Sequence, residues 1–558
     1  MKGGDRLWKQ RISAFLSSSN QRPNGSFGVE KPDYHDDFPQ YPAGHPLQSY
    51  ARTRVLNIPE LLSMIFEHCM PAEDLPTDNP LSPPRLFTNV CHMWRQVALA
   101  TPRLWSRLYL VCFPSIPCRM LALRHFTVLT DWFERSGACS IYLRLRYLGS
   151  SASDVRNISS ILAATLGHAH RWRDVDITAP MPCLKPILQL LGHGTPVMET
   201  CRITITSANA PSEQEDLVVD LDNLIAFRLG AIMLDLEGAK ELKHLYLKTD
   251  ALTDIIFTSL PLSLETLSLH NYDVLLGPPG LGLSLRASSL RKLSLHSQIH
   301  ISLLGQLAEA FPRLEDAYLN IKYGMNSESA SNLSFGSIRF PTLQTLTLRA
   351  VSLSGTADLH ALGVCLDVLQ LPVLARLSLS VSCSRQGRWT ALSRHLARTR
   401  SPLTELIFMG AYFTEGEFLA VLREAPKLER LKMFVRLSDR ALTALTLSQC
   451  RNSTQEQQVH TQGLCPNLQY LDVPLASPCS PESVINMLLS RRSEQCLSGD
   501  NIHENPVVEG YDHTQARHAQ LEECRLILSE PGAIELIERH PGVVRCVDQG
   551  LVLDLRGF

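Results

Sequence analysis

The chain is 558 residues long and 44% apolar, and 53 basic against 55 acidic side chains leave a formal charge of -2. That length suits three or four ordinary domains or one long repeat array, and the charge balance supplies no field to hold nucleic acid or anionic lipid, so neither is expected as a partner. The first twenty residues lack the apolar stretch of a signal peptide, no run is long enough to cross a bilayer, and the expected location is the cytoplasm or nucleus. Fifteen cysteines, odd in number and without a C-x-x-C pair, argue against a disulfide framework or zinc ribbon and for reduced thiols.

Residues 1–50 are rich in Ser, Gly, Pro, Asp and Tyr without periodicity and read as a disordered tail. At Asn57-Ile58-Pro59-Glu60 a capping residue precedes a first-turn proline, which predicts a helix. Leu61, Leu62, Ile65, Phe66, Cys69 and Met70 then gather on one helical face, and Pro71 ends it. The five prolines of residues 71–84 predict a loop. A second one-faced helix runs from Leu86 through Phe87, Val90, Cys91, Trp94, Val97 and Ala98 to Thr101-Pro102, and Leu104-Trp105 opens a short third element. Such a module, 51–110, is too small to be fully stable without a partner surface. A connecting helix is expected within 111–150, closed by Gly137.

From 151 to 558 the chain repeats the segment L-x-x-L-x-L. Clear copies start at Leu242, Leu264, Leu290, Leu314, Leu343, Leu374, Leu403, Leu428 and Leu468, and weaker ones at Trp172, Met198, Leu224 and Leu521. Successive clear copies start 22 to 31 residues apart, except the last at 40, the period of a leucine-rich repeat. Within each copy x-L-x-L is a period-2 strand whose leucines enter the core, and parallel stacking satisfies its backbone. Five copies follow an apolar-Pro pair, at Pro312, Pro341, Pro372, Pro426 and Pro466, that ends the preceding return. The returns predict helices: Thr414 with Glu417 forms a capping box, and Ser480-Pro481 opens another helix. Residues 450–463 and 492–515 read as disordered insertions. The expected fold class is α/β, a three-helix module followed by an irregular solenoid with parallel strands on its concave side and helices on its convex side.

The stretch NIPELLSMIFEHC, a loop, and PRLFTNVCHMWRQVALATPRLW resembles an F-box, in the form common in mushroom-forming fungi. WFERSG at 132–137 and HRWRDVDI at 170–177 are similar to segments that follow the box in that group. With the repeats, the likeness covers nearly everything after residue 50. It implies a box docked on the Skp-family adaptor of a cullin-RING ubiquitin ligase and repeats that capture a protein substrate. By position the docking residues would be Ile58, Pro59, Leu61, Leu62, Ile65, Phe66, Val90, Trp94 and Trp105. The sequence departs from the pattern at Ile58, where Leu is usual, in its long inter-helix loop, and in a tail without heptads. Asp250, Tyr272, Gln298 and Lys322 also stand where the usual repeat carries Asn, so an Asn ladder is not expected.

Outward strand positions expected to meet a substrate are His244, Tyr246, Lys248, His270, Lys292, His296, Tyr318, Arg349, Arg376, Arg430, Lys432 and Tyr470. The bland reading of this face is plain solvation, and of Trp94 and Trp105 plain core. His168, His170 and His193 lack neighbouring ligands at metal-binding spacing. Phosphate-loop, zinc-protease and nucleophile-elbow motifs are all missing. No catalytic residue, cofactor or metal is therefore expected. The leading functional expectation is the specificity subunit of an SCF-type ligase; the alternative is a repeat scaffold or inhibitor that works without ubiquitin.

Overall fold

A computed structural model describes residues 56–557 apart from Glu73, 113–118, 148–151, 192–194, 207–228, 275–288, 323–336, 351–356, 382–389, 410–413, 451–459 and 493–519. The chain opens with helix α1 (Pro59–His68), a 3-10 turn (Arg85–Asn89), α2 (His92–Leu99) and a second 3-10 turn (Pro102–Trp105). Strands follow as β1 (Arg107–Cys112), β2 (Ile141–Tyr147), β3 (Trp172–Pro180), β4 (Thr200–Thr206), β5 (Leu229–Asp235), β6 (His244–Ser259), β7 (Thr266–Val274), β8 (Lys292–His300), β9 (Asp316–Lys322) and β10 (Ile338–Arg339). They continue as β11 (Thr345–Ala350), β12 (Leu369–Gln370), β13 (Arg376–Val381), β14 (Glu405–Met409), β15 (Arg430–Met433), β16 (Ser448–Cys450), β17 (His460–Gln462), β18 (Tyr470–Pro474), β19 (Glu523–Leu528) and β20 (Val552–Gly557). The interleaved helices are α3 (Arg119–Arg135), α4 (Ala152–Leu166), α5 (Met181–Leu191), α6 (Leu303–Ala310), α7 (Ala357–Val368), α8 (Ala391–Thr399), α9 (Glu415–Glu424), α10 (Asp439–Leu445), α11 (Pro481–Ser490), α12 (Pro531–Glu538) and α13 (Pro541–Asp548).

Sixteen strands join one sheet in the order β1-β2-β3-β4-β6-β7-β8-β9-β11-β13-β14-β15-β18-β19-β20, with β5 alongside the second half of β6. Every pairing in it is parallel, and adjoining helices pack on one another along it from α7 to α11. The result is a mixed α/β, solenoid-like fold. Its cause is the x-L-x-L alternation. Leu245, Leu247, Leu267, Leu269, Leu346, Leu348, Leu377 and Leu379 point inward and are buried, as are the leading residues Leu242, Leu264, Leu290, Leu314, Leu343 and Leu374.

Three features correct the expected outline. Sheet strands begin at Arg107, well before 151, because Trp105 takes the leading position of a first repeat, WSRLYL, whose Leu108 and Leu110 are buried. The expected second helix is broken, since Cys91 is extended and caps α2 by accepting from the Trp94 amide. The weak copy at Leu224 falls largely outside the described residues, and its continuation β5 leaves β4 to pair directly with β6. Of the two insertions, the first is bounded by an antiparallel ribbon, β16 with β17, and nearly all of the second lies outside the described residues. The Thr414–Glu417 capping box is formed in both directions, and Gly137 closes α3 at φ +55°.

Polar cross-links between repeats replace the missing Asn ladder. Ser263, Ser289 and Thr342, each just before a leading leucine, donate to the carbonyls of Leu242, Leu264 and Leu314 in the preceding repeat. Asn271 and Asn320, off the expected positions, donate to Thr249 and His296 carbonyls. Three arginines cap helices of the repeat before: Arg171 reaches the Phe133 carbonyl in the last turn of α3 and that of Gly137 just after it, Arg398 those of Leu366 and Asp367 in α7, and Arg491 that of Leu445 at the end of α10. A guanidinium suits these sites because the last helical carbonyls lack intrahelical donors and carry partial negative charge. Arg491 is only 3% exposed, binds the Leu464 and Cys465 carbonyls as well, and its pKa is lowered to about 10 by burial.

Candidate interaction surfaces

The helical module is organised by aromatic rings. Phe66 of α1 stacks on Phe87 at 4.3 Å between centroids, and Trp94 of α2 meets Phe66 edge-on at 5.0 Å. Trp105 donates Nε1–H to the Ala98 carbonyl and packs edge-on against Trp132 of α3, whose own Nε1–H bonds the Arg107 carbonyl. The long proline-rich loop pairs with the outer strand: the Tyr109 amide donates to the Pro76 carbonyl, and Thr77 bridges Tyr109 in parallel. The unpaired edge of β1 is therefore covered from within the chain, and Pro59–Phe558 forms one compact unit.

This packing sorts the expected docking residues into two groups. Ile58, Pro59 and Leu61 are exposed, and Ile65, Val90 and Trp94 are half-buried. Leu62, Phe66 and Trp105 are core residues at 0–1% exposure, so they support a surface and do not line it. The helical phase explains the split: Leu62 and Phe66 lie four apart on the inner face of α1, whereas Leu61 and Met64 lie three apart on the outer one. Met64, 56% exposed, was missed by a reading that followed only the inner stripe.

The second surface is the sheet face away from the buried leucines. All twelve side chains expected there are half-buried or exposed. Register places His244, Thr266, Lys292, Asp316, Thr345, Arg376, Glu405, Arg430, Tyr470 and Glu523 in one row across the sheet. On the C-terminal half of the face cations meet carboxylates. Glu405 lies between Arg376 and Arg430, Lys432 Nζ is 2.8 Å from Asp472, Arg525 Nη2 is 2.6 Å from Glu523, and the Arg430 and Arg525 guanidinia flank the Tyr470 ring. Arg144–Asp176 and Arg202–Asp174 do the same at the N-terminal end. These acidic partners sit at x positions of clear copies (Glu405, Asp472) and weak ones (Asp174, Asp176, Glu523) and were legible there, but a search for interface anchors passed over them.

The middle of the face differs. His270 stacks on His296 at 3.6 Å, and His296 on Tyr318 at 4.3 Å. Burial, then Lys248, lowers the His270 pKa; burial, then His270 and Arg349, lowers that of His296 to about 4. Both imidazoles are neutral at pH 7. Lys292 has Asp316 as its register neighbour, and burial raises that carboxyl's pKa against the pull of Lys292.

A polar cavity of about 480 Å³ opens beside Arg430, Tyr470, Glu522 and Gln549. It brings no nucleophile and base together. Among the described residues no cluster of His, Cys, Asp and Glu could hold a metal ion, and no helix is long and apolar enough to cross a membrane. His168 instead contacts Arg171 and Phe133, His170 is exposed, and His193 lies outside the described residues. The buried thiols of Cys112, Cys201, Cys465 and Cys524 are pushed up to about 12 by burial and stay protonated.

No protein-family model matches the chain, and no curated protein sequence matches it.

Proposed function

We propose that the chain is a non-catalytic specificity subunit of a cullin-RING ubiquitin ligase, its F-box-like module docking on a Skp-family adaptor and its leucine-rich repeats capturing a protein substrate. The reading rests on the F-box resemblance, and one observation carries it further. The outer face of α1 offers apolar Leu61 and Met64 to solvent over a rigid aromatic floor, in the same chain as a broad sheet face whose exposed side chains are polar. Exposed apolar residues on a well-braced helix suit a stable subunit contact, and an aromatic and charged face suits selective recognition. The test uses the whole chain, since Trp105 is shared with the sheet. Mixed with a purified Skp-family adaptor, it is expected to elute as an equimolar complex on size exclusion. Separate elution contradicts the reading. A repeat scaffold acting without ubiquitin would instead hold a partner whose abundance stays constant when the proteasome is blocked.

A further inference from the structure

Between the ion-paired ends of the open face lies a strip with a different charge economy. Lys248, His270, His296, Asn320 and Arg349 come from the adjoining strands β6, β7, β8, β9 and β11 and occupy its outward end, with Tyr318 beside them. Lys248 and Arg349 are exposed, and among the described residues neither forms an ion pair. The two imidazoles between them are uncharged, held flat against each other, and His296 is braced by the Asn320 amide on its carbonyl. Toward both ends of the face most arginines already have carboxylates: Arg144, Arg202, Arg376, Arg430 and Arg525 do, while Arg146 lies over the Tyr109 ring. Among the described residues no carboxylate pairs with Lys248 or Arg349, and a bound partner can supply one to each.

We infer that this strip is a docking site for a short acidic peptide segment, lying across the strands with one carboxylate at Lys248, another at Arg349, and its middle against the His270–His296–Tyr318 rings. The inference rests on the reading that the open face captures a protein. Strands about 4.8 Å apart put the two cations roughly 19 Å apart, which an extended chain rising about 3.3 Å per residue spans in about six positions. The rings supply flat, half-buried area that a peptide backbone or an aromatic side chain can cover. A nucleic acid strand would also find cations and rings here. Beyond the strip Arg144, Arg202, Arg376, Arg430, Lys432 and Arg525 are already held by Asp174, Asp176, Glu405, Asp472 and Glu523, so a polyanion longer than the strip gains little from its extra length, whereas a short acidic segment needs only the strip.

Fluorescence anisotropy on the full chain tests this with three labelled probes: a peptide with two glutamates about six positions apart and a central tyrosine, the same peptide with lysines for glutamates, and a single-stranded oligouridylate of equal length. The acidic peptide is expected to bind, more tightly than either other probe. Combining Lys248→Glu with Arg349→Glu should weaken it at least about tenfold, the loss of two charge-assisted contacts. Arg545→Glu, on the exposed side of α13, should leave binding unchanged. No binding of the acidic peptide, equal binding by the double variant, or tighter binding of the lysine peptide or the oligonucleotide overturns the inference. Both substituted residues are exposed, and an unchanged melting temperature separates lost binding from lost fold. Adaptor binding by the same preparation is read independently. Failure there with peptide binding intact counts against the ligase reading alone, and the reverse result against the strip alone.

Discussion

The two edges of the described sheet are treated differently. At the N-terminal end β1 is covered: residues Pro76 and Thr77 pair with Tyr109, and Trp105 seals the first repeat against Trp132. At the other edge β20 has one neighbour among the described residues, its inward Leu553 and Leu555 are half-buried, and Val552, Leu536, Val544 and Val547 are exposed. The comparison teaches that the helical module has a structural part to play. It is the cap that terminal repeats require, so its stability and that of the array are one quantity at this end and separate at the other.

The largest expected effect follows from that sharing. Trp105→Ala removes a ring that belongs to both module and first repeat, and should cost about 3–5 kcal/mol. Thermal melts should show module and early repeats failing together. A loss confined to residues 59–104 by hydrogen exchange would break the comparison. Arg491→Met comes next. It strips the buried carbonyls of Leu445, Leu464 and Cys465 of their donor and should cost about 3 kcal/mol. Hydrogen exchange should rise in α10, α11 and later elements while the module stays protected, and an equal rise in α1 would refute the separation.

Acid provides a third, milder probe. His395 donates Nδ1–H to the Leu366 carbonyl, its Nε2 is buried without a partner, and burial lowers its pKa to about 4. An unfolded histidine takes its proton near pH 6.5. Below that value the unfolded state binds the extra proton and the folded state does not, so stability should fall from pH 6.5 toward 4 and be flat just above. His296, also at about 4, adds to the same window. Replacing His395 by Gln should flatten this slope in urea melts, and an unaltered slope would assign the acid loss elsewhere. The smallest effect is expected from Lys432→Ala, which breaks the surface pair with Asp472 and should change stability by no more than about 1 kcal/mol.

Much of the array was legible because a buried leucine every second residue is what a parallel strand needs. Twelve of the thirteen copies read from sequence mark sheet strands, from Trp172 to Leu521. β2 and β20 escaped because Ser140 and Gly550 stand where the leading apolar residue was sought, and β1 because Trp105 had been assigned to the helical module. The break at Cys91 was hidden because an apolar stripe continues through a 3-10 turn and a helix alike. On α1, periodicity gathered exposed Leu61 together with the packing residues Leu62 and Phe66 and passed over Met64. On the sheet face, composition named the rings and cations, but only register could tell which cations already had a carboxylate.

Whether α1 carries an adaptor is decided most directly by calorimetric titration of a purified Skp-family adaptor into the full chain and into the Leu61→Asp, Met64→Asp double variant. Both positions are exposed, so the variant should melt like the parent. The parent is expected to bind one adaptor and the variant to lose binding at least about a hundredfold, since two carboxylates would be desolvated at an apolar contact. Adaptor binding undiminished in the variant, or absent in the parent, would contradict a ligase subunit that docks through this helix.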